Sequence, residues 1–382
     1  MSSNAHSASD LKQMQSLPLE AKIMMTKQRI KVWYESWVRF EIHDKATGKV
    51  RFVTYDTRKG DPPLKDNEYI ERAYDGQVYV AFSGGKDSTV LKHIVDSMYD
   101  DVPSLFVNTG LEYPEIQKFA KSQKNVITVR PEMRFDEVLK TYGYPVISKE
   151  VAQKIYDYRK NPNGWTKDRF DENSDYVKRY GKAYCFSKWI WLRDSDIPIS
   201  NQCCNVMKKK PSHLYAKQTG RKQIVGTMAS ESRIRYTNWL RNGCNAFEAK
   251  NPSSQPLSFW TEQDILHYIK KYDVPYCSVY GDIRVKAESE VEGQMNLIDY
   301  LDCYEPEDLL ETTGCDRTGC IFCMFGCHLE KEPNRFQRLK ETHPRQYQYC
   351  IGGGEMVEGK WQPSKEGLGL GKVLDYIGVK YE

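Results

Sequence analysis

The chain has no long apolar run and no apolar segment near its start. No stretch approaches the roughly 18 consecutive apolar residues that cross a bilayer. Residues Met1–Asp10 are polar, whereas a secretory signal peptide needs an apolar core behind basic residues. We therefore expect a cytoplasmic protein without a membrane partner.

The chain also has little net charge. Its 56 Lys and Arg oppose 52 Asp and Glu, and this balance alone favours no class of partner. The charges are segregated, however, because Asn205–Lys250 holds ten basic and two acidic residues and Asp282–Glu311 holds the reverse. A basic segment attracts nucleotides, sulfate or nucleic acid, and Tyr215, Tyr236 and Trp239 within it could stack on bases. The alternatives are two solvated surfaces that face each other, or a solvated helix face with two or three nucleotide-binding arginines.

Cysteines are too few for a disulfide scaffold. There are eleven, an odd number, and without a secretion signal we expect them in a reducing compartment. Clustered thiols there are more often metal ligands or redox groups than disulfides. The clustered ones are Cys203, Cys204, Cys315, Cys320, Cys323 and Cys327. The last four could form one four-thiolate site, or the adjacent pair could combine with Cys320 and Cys323, and thiolates suit both a [4Fe–4S] cluster and zinc.

Strand-like and helix-like patterns of apolar residues alternate from residue 76 onward. Val78–Phe82 is a short apolar run typical of a buried parallel strand, and helical spacing follows it through Met98. The further predicted elements are strand 104–107, helix 112–123, strand 125–129, strand 223–226 and a helix capped by Thr261. This alternation predicts an α/β fold with a doubly wound, mostly parallel, five-stranded sheet.

Other segments flank or interrupt the alternation. Residues 1–17 are predicted to be a flexible leader, followed by a helix over 19–37 and a hairpin from Val38 to Thr54. The polar and aromatic stretch Asn161–Asp196 is predicted to be an inserted helical or lid segment. We expect an N-terminal helix and hairpin extension (1–75), a nucleotide-binding α/β domain (76–280, with an insertion at about 150–200) and a Cys-rich C-terminal subdomain (281–382).

A glycine-containing loop lies directly between the first predicted strand and its helix. Such a turn points free backbone N–H groups at a ligand beyond the carboxyl end of the strand. Gly84 and Gly85 let the backbone come close, Lys86 adds a compact charge, and Asp87 beside a phosphate is explained by a bridging Mg²⁺ ion. The two serines and the threonine supply hydroxyls for phosphate oxygens. The loop consists of Ser83, Gly84, Gly85, Lys86, Asp87, Ser88 and Thr89, and it lacks the spacing of a Walker loop.

This loop resembles the pyrophosphate-binding loop (S-G-G-x-D-S/T) of the ATP pyrophosphatase, or adenine nucleotide alpha hydrolase, superfamily. Its members typically cleave ATP between the α and β phosphates. Other segments resemble one branch, the phosphoadenosine phosphosulfate (PAPS) reductase-like proteins: Val107–Glu115 resembles D-T-G-x-E-x-P-E with Asn108 in place of Asp, Gly226–Arg235 the glycine–arginine element, and Pro256–Ile265 the P-L-x-x-W-T-x-x-D-V segment. The nucleotide contacts that the resemblance implies are the loop residues, Asn108, Glu112, Gly226 and Arg233.

Two cysteine segments extend the resemblance, which covers roughly residues 76–328. Cys203–Pro211 and Gly319–Cys323 resemble the two halves of the iron–sulfur site in adenylylsulfate-reducing members. The resemblance implies a [4Fe–4S] cluster on Cys203, Cys204, Cys320 and Cys323. Cys315 or Cys327 is the alternative fourth ligand, and zinc is the alternative metal.

The sequence departs from the sulfonucleotide reductases in three respects. The phosphate loop is intact, whereas theirs is usually degraded; no cysteine follows Cys350, whereas they carry a catalytic E-C-G-L-H motif; and Cys315 and Cys327 are additional. These departures favour an ATP-using relative of the kind found in DNA phosphorothioation systems, tRNA thiolation and phages.

We therefore expect ATP-dependent sulfur transfer. Lys86 and a Mg²⁺ ion at Asp87 would hold the pyrophosphate, and Arg233 and Arg235 would stabilise charge at the α-phosphate as a substrate oxygen attacks. Sulfur delivered through the cluster or a nearby thiol would then displace AMP. Implied partners are an adenine nucleotide, a DNA or tRNA acceptor, a cysteine desulfurase or thioredoxin-type donor, and a second copy of the chain. The alternatives are a PAPS or adenylylsulfate reductase that uses another cysteine, and a nucleotide- and Fe–S-dependent regulatory or nucleic-acid-binding protein.

Overall fold

The computed structural model of the chain describes residues 6–286 and 308–382. In chain order the helices are α1 Ala8–Gln15, α2 Leu19–Ser36, α3 Lys86–Asp96, α4 Pro114–Ser122, α5 Phe135–Tyr142, α6 Lys149–Lys160, α7 Asp175–Tyr180, α8 Ile190–Arg193, α9 Lys210–Thr219, α10 Arg233–Asn242, α11 Glu262–Lys271, α12 Arg335–Thr342, α13 Pro344–Ile351 and α14 Leu370–Tyr376. The strands are β1 Trp37–Asp44, β2 Val50–Asp56, β3 Glu68–Tyr74, β4 Val78–Phe82, β5 Ser104–Val107, β6 Val126–Val129, β7 Val146–Ile147, β8 Lys222–Val225, β9 Asn245–Ala246, β10 Ser253–Ser254, β11 Ile283–Val285, β12 Leu310–Thr312, β13 Met324–Phe325, β14 Glu355–Val357 and β15 Lys360–Gln362. Most of the predicted acidic stretch at 282–311 lies outside the described residues.

Contacts divide the chain into two units that interleave along the sequence. The first comprises Met1–Val107, Tyr113–Val129 and Ser212–Thr318, and the second comprises Asn108–Glu112, Arg130–Pro211 and Gly319–Glu382. Each unit is thus assembled from three separate stretches. The three-part division expected from the sequence stays a prediction.

The central sheet belongs to the first unit. Its strand order is β6-β5-β4-β8-β10-β9, and the first five strands run parallel. The short β9 joins antiparallel at the edge. Because β4 lies inside the sheet with β5 on one side and β8 on the other, the chain winds outward in both directions. The predicted α/β class with a mostly parallel sheet is confirmed. Among the described residues this sheet has six strands rather than the predicted five, because the two-residue β9 pairs at its edge.

Helices cover both faces of this sheet. Val78 and Val80 of β4 belong to a buried cluster that includes Ile94 of α3 and Ile265 of α11. Their neighbour Tyr79 points the other way, and its ring lies 5.1 Å from that of Tyr215 in α9. Because helices bury both faces of the sheet at β4, the sequence of this strand is a continuous apolar run.

The N-terminal elements agree with the sequence in part. The predicted helix and hairpin are present as α2, β1 and β2, and β3 adds a third strand on the other side of β1. The prediction of a flexible leader is wrong for Ala8–Gln15. That segment forms α1, since Ser7 caps it in a capping box with Asp10 and Leu11 is buried.

The second unit is built from short helices and small strand pairs. Its Asn161–Asp196 stretch consists of α7, α8 and brief 3₁₀ turns, so its predicted helical character is confirmed. The parallel pair of β7 and β13 places Val146 opposite Met324. This pairing positions the Cys320–Cys323 segment, which immediately precedes β13. None of the described helices is long and apolar enough to span a membrane.

Candidate functional site

The phosphate loop occupies the expected turn between β4 and α3, and side chains brace it from within. Ser88 Oγ accepts from the Ser83 backbone N–H at 3.2 Å and donates to the Gly85 carbonyl at 2.9 Å. Thr89 Oγ1 donates to the same carbonyl at 2.9 Å. The backbone N–H of Lys86 donates to the Tyr280 hydroxyl at 3.2 Å. In this conformation the hydroxyls of Ser88 and Thr89 thus shape the loop, and Tyr280 is a contact that the sequence did not single out.

Two glycines are required here by close approach. Gly84 has a φ of +74°, and a Cβ on it would lie 2.9 Å from Cγ2 of Ile116. A Cβ on Gly226, which follows β8, would lie 3.0 Å from the Asp87 carbonyl oxygen. The resemblance implied that Gly226 faces the nucleotide. The structure gives it a specific task, which is to let β8 pass directly beside the first turn of α3.

A cleft opens beside the loop in the first unit. It is lined by Lys86, Asp87, Met228, Ser230, Glu231, Thr261, Glu262 and Arg317. The Lys86 side chain is buried, and its ammonium lies 2.7 Å from the half-exposed Glu262 carboxylate and contacts the Asp316 carbonyl oxygen. The cation expected to bind phosphate is therefore paired with a carboxylate of this chain.

Asp87 carries a buried carboxylate oxygen beside this cleft. Its Oδ1 forms no hydrogen bond with any residue that the structure describes. Burial raises the pKa of Asp87, although Lys86 and Arg317 nearby oppose the shift. An unpartnered carboxylate oxygen at the wall of a polar cleft is a suitable donor for a hard cation, so this residue fits the Mg²⁺ contact predicted for it.

The predicted arginines occupy different positions. Arg235 pairs with Glu231, and Glu231 also pairs with Arg317. Arg233 begins α10 and is exposed, and it does not line the cleft. Arg317 was missed by the sequence analysis, and its only signal was its position between the clustered Cys315 and Cys320. Arg317 therefore lines the cleft, whereas Arg235 does not line it and is ion-paired with the same Glu231.

A second cavity, in the second unit, is lined by cysteines. Its walls are formed by Leu111, Phe135, Pro145, Cys203, Cys204, Met207, Lys208, Cys320, Phe322 and Cys323. Cys203 and Cys204 begin a helical segment that passes through a π-helical turn, Asn205–Lys209, into α9. The backbone N–H of Cys323 donates to the Cys320 carbonyl at 3.0 Å, which closes the tight turn of the C-x-x-C segment. The structure thus brings together the four cysteines that the resemblance implied as ligands.

The adjacent cysteines are hydrogen-bonded to each other. The Cys203 thiol donates to Cys204 across 4.0 Å, and this hydrogen bond, helped by Lys149 and Lys208, lowers the pKa of Cys204 although burial opposes the shift. The same bond and burial raise the pKa of Cys203. Burial raises the pKa of Cys320 to about 11, although Lys208 opposes this shift. A cation thus stands beside thiols that would otherwise be costly to ionise.

The four cysteines form a donor set that suits a metal group. In the described part of the chain, no group of three or more His, Cys, Asp or Glu residues is arranged to hold a metal ion. Four thiols without disulfides nevertheless line one apolar cavity, with Lys208 in its wall. Thiolates hold both iron–sulfur clusters and zinc, so both metals predicted from the sequence fit this donor set.

The other predicted residues are distributed as follows. Asn108 and Glu112 belong to the second unit, where Glu112 accepts from the backbone and hydroxyl of Thr109 and lies close enough to Lys208 to raise its pKa. Cys315 belongs to the first unit, and its backbone donates to the Val279 carbonyl. Cys327 is buried and donates to the Met324 carbonyl at 3.0 Å, so it does not line the cavity.

The prediction that three aromatic residues of the basic stretch could stack on bases is wrong for two of them. Tyr215 is 8 % exposed and Trp239 is 1 % exposed, because both pack into the core of the first unit. Tyr236 is partly buried against the same core. Arg221 is also structural, since its guanidinium donates to the carbonyls of Gly76 and Val78. The stretch therefore does not present the interleaved aromatic face that the sequence indicated.

Comparison with known proteins gives two relatives and a family. The chain is 29 % identical over 113 residues to an uncharacterized protein of Methanocaldococcus jannaschii. That alignment covers 28 % of this chain and about a quarter of the other protein. The chain is 23 % identical over 246 residues to an adenosine 5′-phosphosulfate reductase of Staphylococcus haemolyticus. That alignment covers 60 % of this chain and 80 % of the reductase. The model of the phosphoadenosine phosphosulfate reductase domain matches residues 77–325, about two thirds of the chain. With the parallel sheet, the phosphate loop and the cysteine cavity inside that range, the chain belongs to the phosphoadenosine phosphosulfate reductase domain family.

Proposed function

We propose that the protein is an ATP-dependent sulfur-transfer enzyme that cleaves ATP between its α and β phosphates. The observation that carries the proposal is the braced loop Ser83–Thr89 at the N-terminus of α3, with Lys86 and the unpartnered Asp87 oxygen at the wall of one cleft. A family member that acts only on a sulfonucleotide has no need to bind β and γ phosphates. An intact loop with a cation and a carboxylate suits a polyphosphate.

The residues of the cleft divide the work of binding and charge stabilisation. The N-terminus of α3 and Lys86 would bind the pyrophosphate part of ATP, because helix N-termini and ammonium groups both favour anions. Mg²⁺ bound through Asp87 would neutralise phosphate charge. Arg317 and Arg235, released from Glu231, would face charge that develops at the α-phosphate. An acceptor oxygen attacks the α-phosphorus, the α–β bridging bond breaks, and pyrophosphate leaves with the bonding electrons.

Cys203, Cys204, Cys320 and Cys323 are the residues that would hold the [4Fe–4S] cluster. When bound, such a cluster supplies an electron-rich iron–sulfur centre. Lys208 would compensate its negative charge, since it already lowers the cost of ionising Cys320. Four further points stay predictions: the identity of the acceptor, the identity of the sulfur donor, the relationship to phosphorothioation-type or phage proteins, and self-association.

Phosphorus NMR of the anaerobically purified protein with ATP and Mg²⁺ tests the proposal. We expect AMP and pyrophosphate when a suitable acceptor such as tRNA or DNA is present. Lys86→Ala should abolish this cleavage. Lys92→Ala is the matched control, because Lys92 is also buried on α3 with a carboxylate partner, Asp96 at 2.5 Å, but lies outside the cleft. Undiminished α–β cleavage by Lys86→Ala would contradict the role of the loop.

Reduction of adenylylsulfate is the second candidate, favoured by the similarity to the staphylococcal reductase. In that reaction a thiol displaces AMP from the sulfate sulfur, and a dithiol donor then supplies two electrons and releases sulfite. Cys350 is wholly buried in α13, so its thiol does not serve as the attacking group in this conformation. Sulfite release from adenylylsulfate with thioredoxin, together with no product from ATP, would favour this candidate over the first.

A further inference from the structure

We propose that residues 176–193 of the second unit form a binding surface for single-stranded nucleic acid. We call them the basic-aromatic segment. Their eighteen residues include five Lys or Arg, no Asp or Glu, and six aromatic residues. Neither the phosphate cleft nor the cysteine cavity is lined by any of them.

Several rings of the segment are exposed to solvent. The exposed fraction is 50 % for Tyr180, 48 % for Tyr184 and 43 % for Trp191. Large aromatic side chains are usually buried on average, so several exposed rings in one short segment indicate a surface that binds something. Among the described residues, the exposed tryptophans are Trp191 and Trp165, and both belong to the inserted region.

The rings are arranged in two groups. Tyr180 lies between Tyr176 and Tyr184, with ring centroids 4.6 and 6.4 Å apart. The ring of Trp191 lies 6.2 Å from that of Trp189 and 5.4 Å from that of Tyr376 in α14. Successive rings at such spacing are the kind of platform on which unpaired bases stack.

A buried arginine holds the segment in place. The Arg169 side chain donates to the Tyr184 carbonyl at 2.7 Å, and its own carbonyl accepts from the Phe186 backbone N–H at 2.7 Å. Its guanidinium also lies 4.9 Å from the ring centroids of Tyr176 and Phe186. A surface held in this way loses little conformational entropy on binding.

The Lys and Arg side chains of the basic-aromatic segment indicate which class of ligand it binds. Arg179 lies 5.4 Å from the ring centroid of Tyr180, and Lys188 lies 5.0 Å from that of Trp189. Within the described residues, Arg179, Lys182 and Lys188 form no salt bridge. Cations beside exposed rings favour a polyanion that also offers flat faces, which is single-stranded nucleic acid. In a duplex the base faces are stacked and cannot meet the rings. Ile190 is the one large aliphatic residue of the segment that is exposed, and it gives little to insert into a bilayer.

Binding at this surface requires neither ATP cleavage nor a bound cluster. If it also presents the acceptor for sulfur transfer, that extension rests on the proposed function. The two are separable, because oligonucleotide binding is measured without ATP, and ATP cleavage is measured by pyrophosphate release.

The test uses the full chain with fluorescein-labelled 16-mers of oligo(U) and oligo(dT), followed by fluorescence anisotropy. We expect saturable binding that quenches tryptophan fluorescence and weakens with salt. With three cations on phosphates, the slope of log K against log salt should be about −2. Absence of binding at low salt, or tighter binding to a 16-base-pair duplex or to phosphatidylserine vesicles, would overturn the proposal.

Single substitutions locate the surface. Tyr180→Ala and Trp191→Ala should each weaken oligonucleotide binding by about 5- to 100-fold, as expected for loss of one stacked base. Lys182→Gln should reduce the salt slope by about 0.7. Phe52→Ala is the matched control, because Phe52 is 50 % exposed beneath Arg39 in the first unit. If the control weakens binding as much as the segment variants, or if folded segment variants bind like the wild type, this surface is not the site.

Discussion

The ammonium of Lys86 lies 2.7 Å from the carboxylate of Glu262, at the mouth of the phosphate-loop cleft. Lys86 is the first residue of α3, and Glu262 is the first residue of α11. The pair means that an incoming phosphate must displace a carboxylate from its cation. Glu262 is therefore expected to compete with phosphate for this cation, and its carboxylate balances the buried charge of Lys86.

Replacing Glu262 by Gln should tighten the binding of ATP or pyrophosphate. The gain should be modest, on the order of 1 kcal/mol or about fivefold in Kd, because Glu262 is half-exposed and solvent screens the pair. Isothermal titration with pyrophosphate and Mg²⁺ measures it. Glu248→Gln, which breaks the exposed pair of Glu248 with Lys59, is the control and should leave Kd unchanged. Weaker binding by Glu262→Gln would mean that Glu262 supports the ligand rather than competing with it.

Replacing Gly226 by Ala should disturb the phosphate loop without touching any ligand. The new methyl group would lie 3.0 Å from the Asp87 carbonyl oxygen and 3.3 Å from Cα of Ser88, both backbone atoms. We expect a loss of about 1–3 kcal/mol in the free energy of unfolding and a weaker affinity for pyrophosphate. Urea unfolding and the same titration measure the two effects. At Gly319 a Cβ meets no atom within 4 Å, so Gly319→Ala should leave the stability almost unchanged, and equal losses in both variants would refute the argument.

Replacing Cys204 or Cys320 by Ser should prevent binding of the proposed iron–sulfur cluster. Each supplies one of the four thiols around the cavity, and a serine hydroxyl is a poor substitute for a thiolate ligand. Iron and acid-labile sulfide in anaerobically purified protein should fall from about four of each per chain to near zero. Cys185→Ser is the control, because Cys185 is a free thiol of the same unit outside the cavity. One zinc per chain in the wild type would favour the alternative metal, and iron retained by both variants would exclude this ligand set.

His93 should make the folded protein less stable in mild acid. Burial lowers its pKa in the folded state, with Asp96 opposing and Lys27 assisting, and its Nδ1 lies 2.9 Å from the Tyr268 hydroxyl. Above the unfolded-state pKa of 6.5 both states are neutral, so the folded state carries no penalty. As the pH falls below 6.5 the unfolded chain takes up the proton more readily, and stability decreases. Urea unfolding at pH 7.5 and 5.5 should show a larger loss for the wild type than for His93→Gln, and equal losses would contradict this assignment.

Local patterns in the sequence predicted the elements that carry the loop. β4 and β5 have the predicted bounds, because a short apolar run between turns is sufficient to define a buried parallel strand. Thr261 caps α11 in a capping box with Asp264, as the three-residue spacing indicated. The same kind of reasoning failed for α1, since Leu11 becomes helical through burial in the core, which a polar composition does not reveal.

The sequence by itself determined the α/β class and the position of the phosphate loop with its lysine and aspartate, because each depends on residues close together in the chain. The choice of cysteines as metal ligands stays a prediction. Only the tertiary structure decided that Glu262 neutralises Lys86 and that Arg317 joins the cleft. It also decided that Trp239 is core, whereas Trp191 is exposed. These outcomes depend on which segments, distant in the chain, pack together. Burial of whole helix and sheet faces determines that packing, and the local spacing of residues does not encode it.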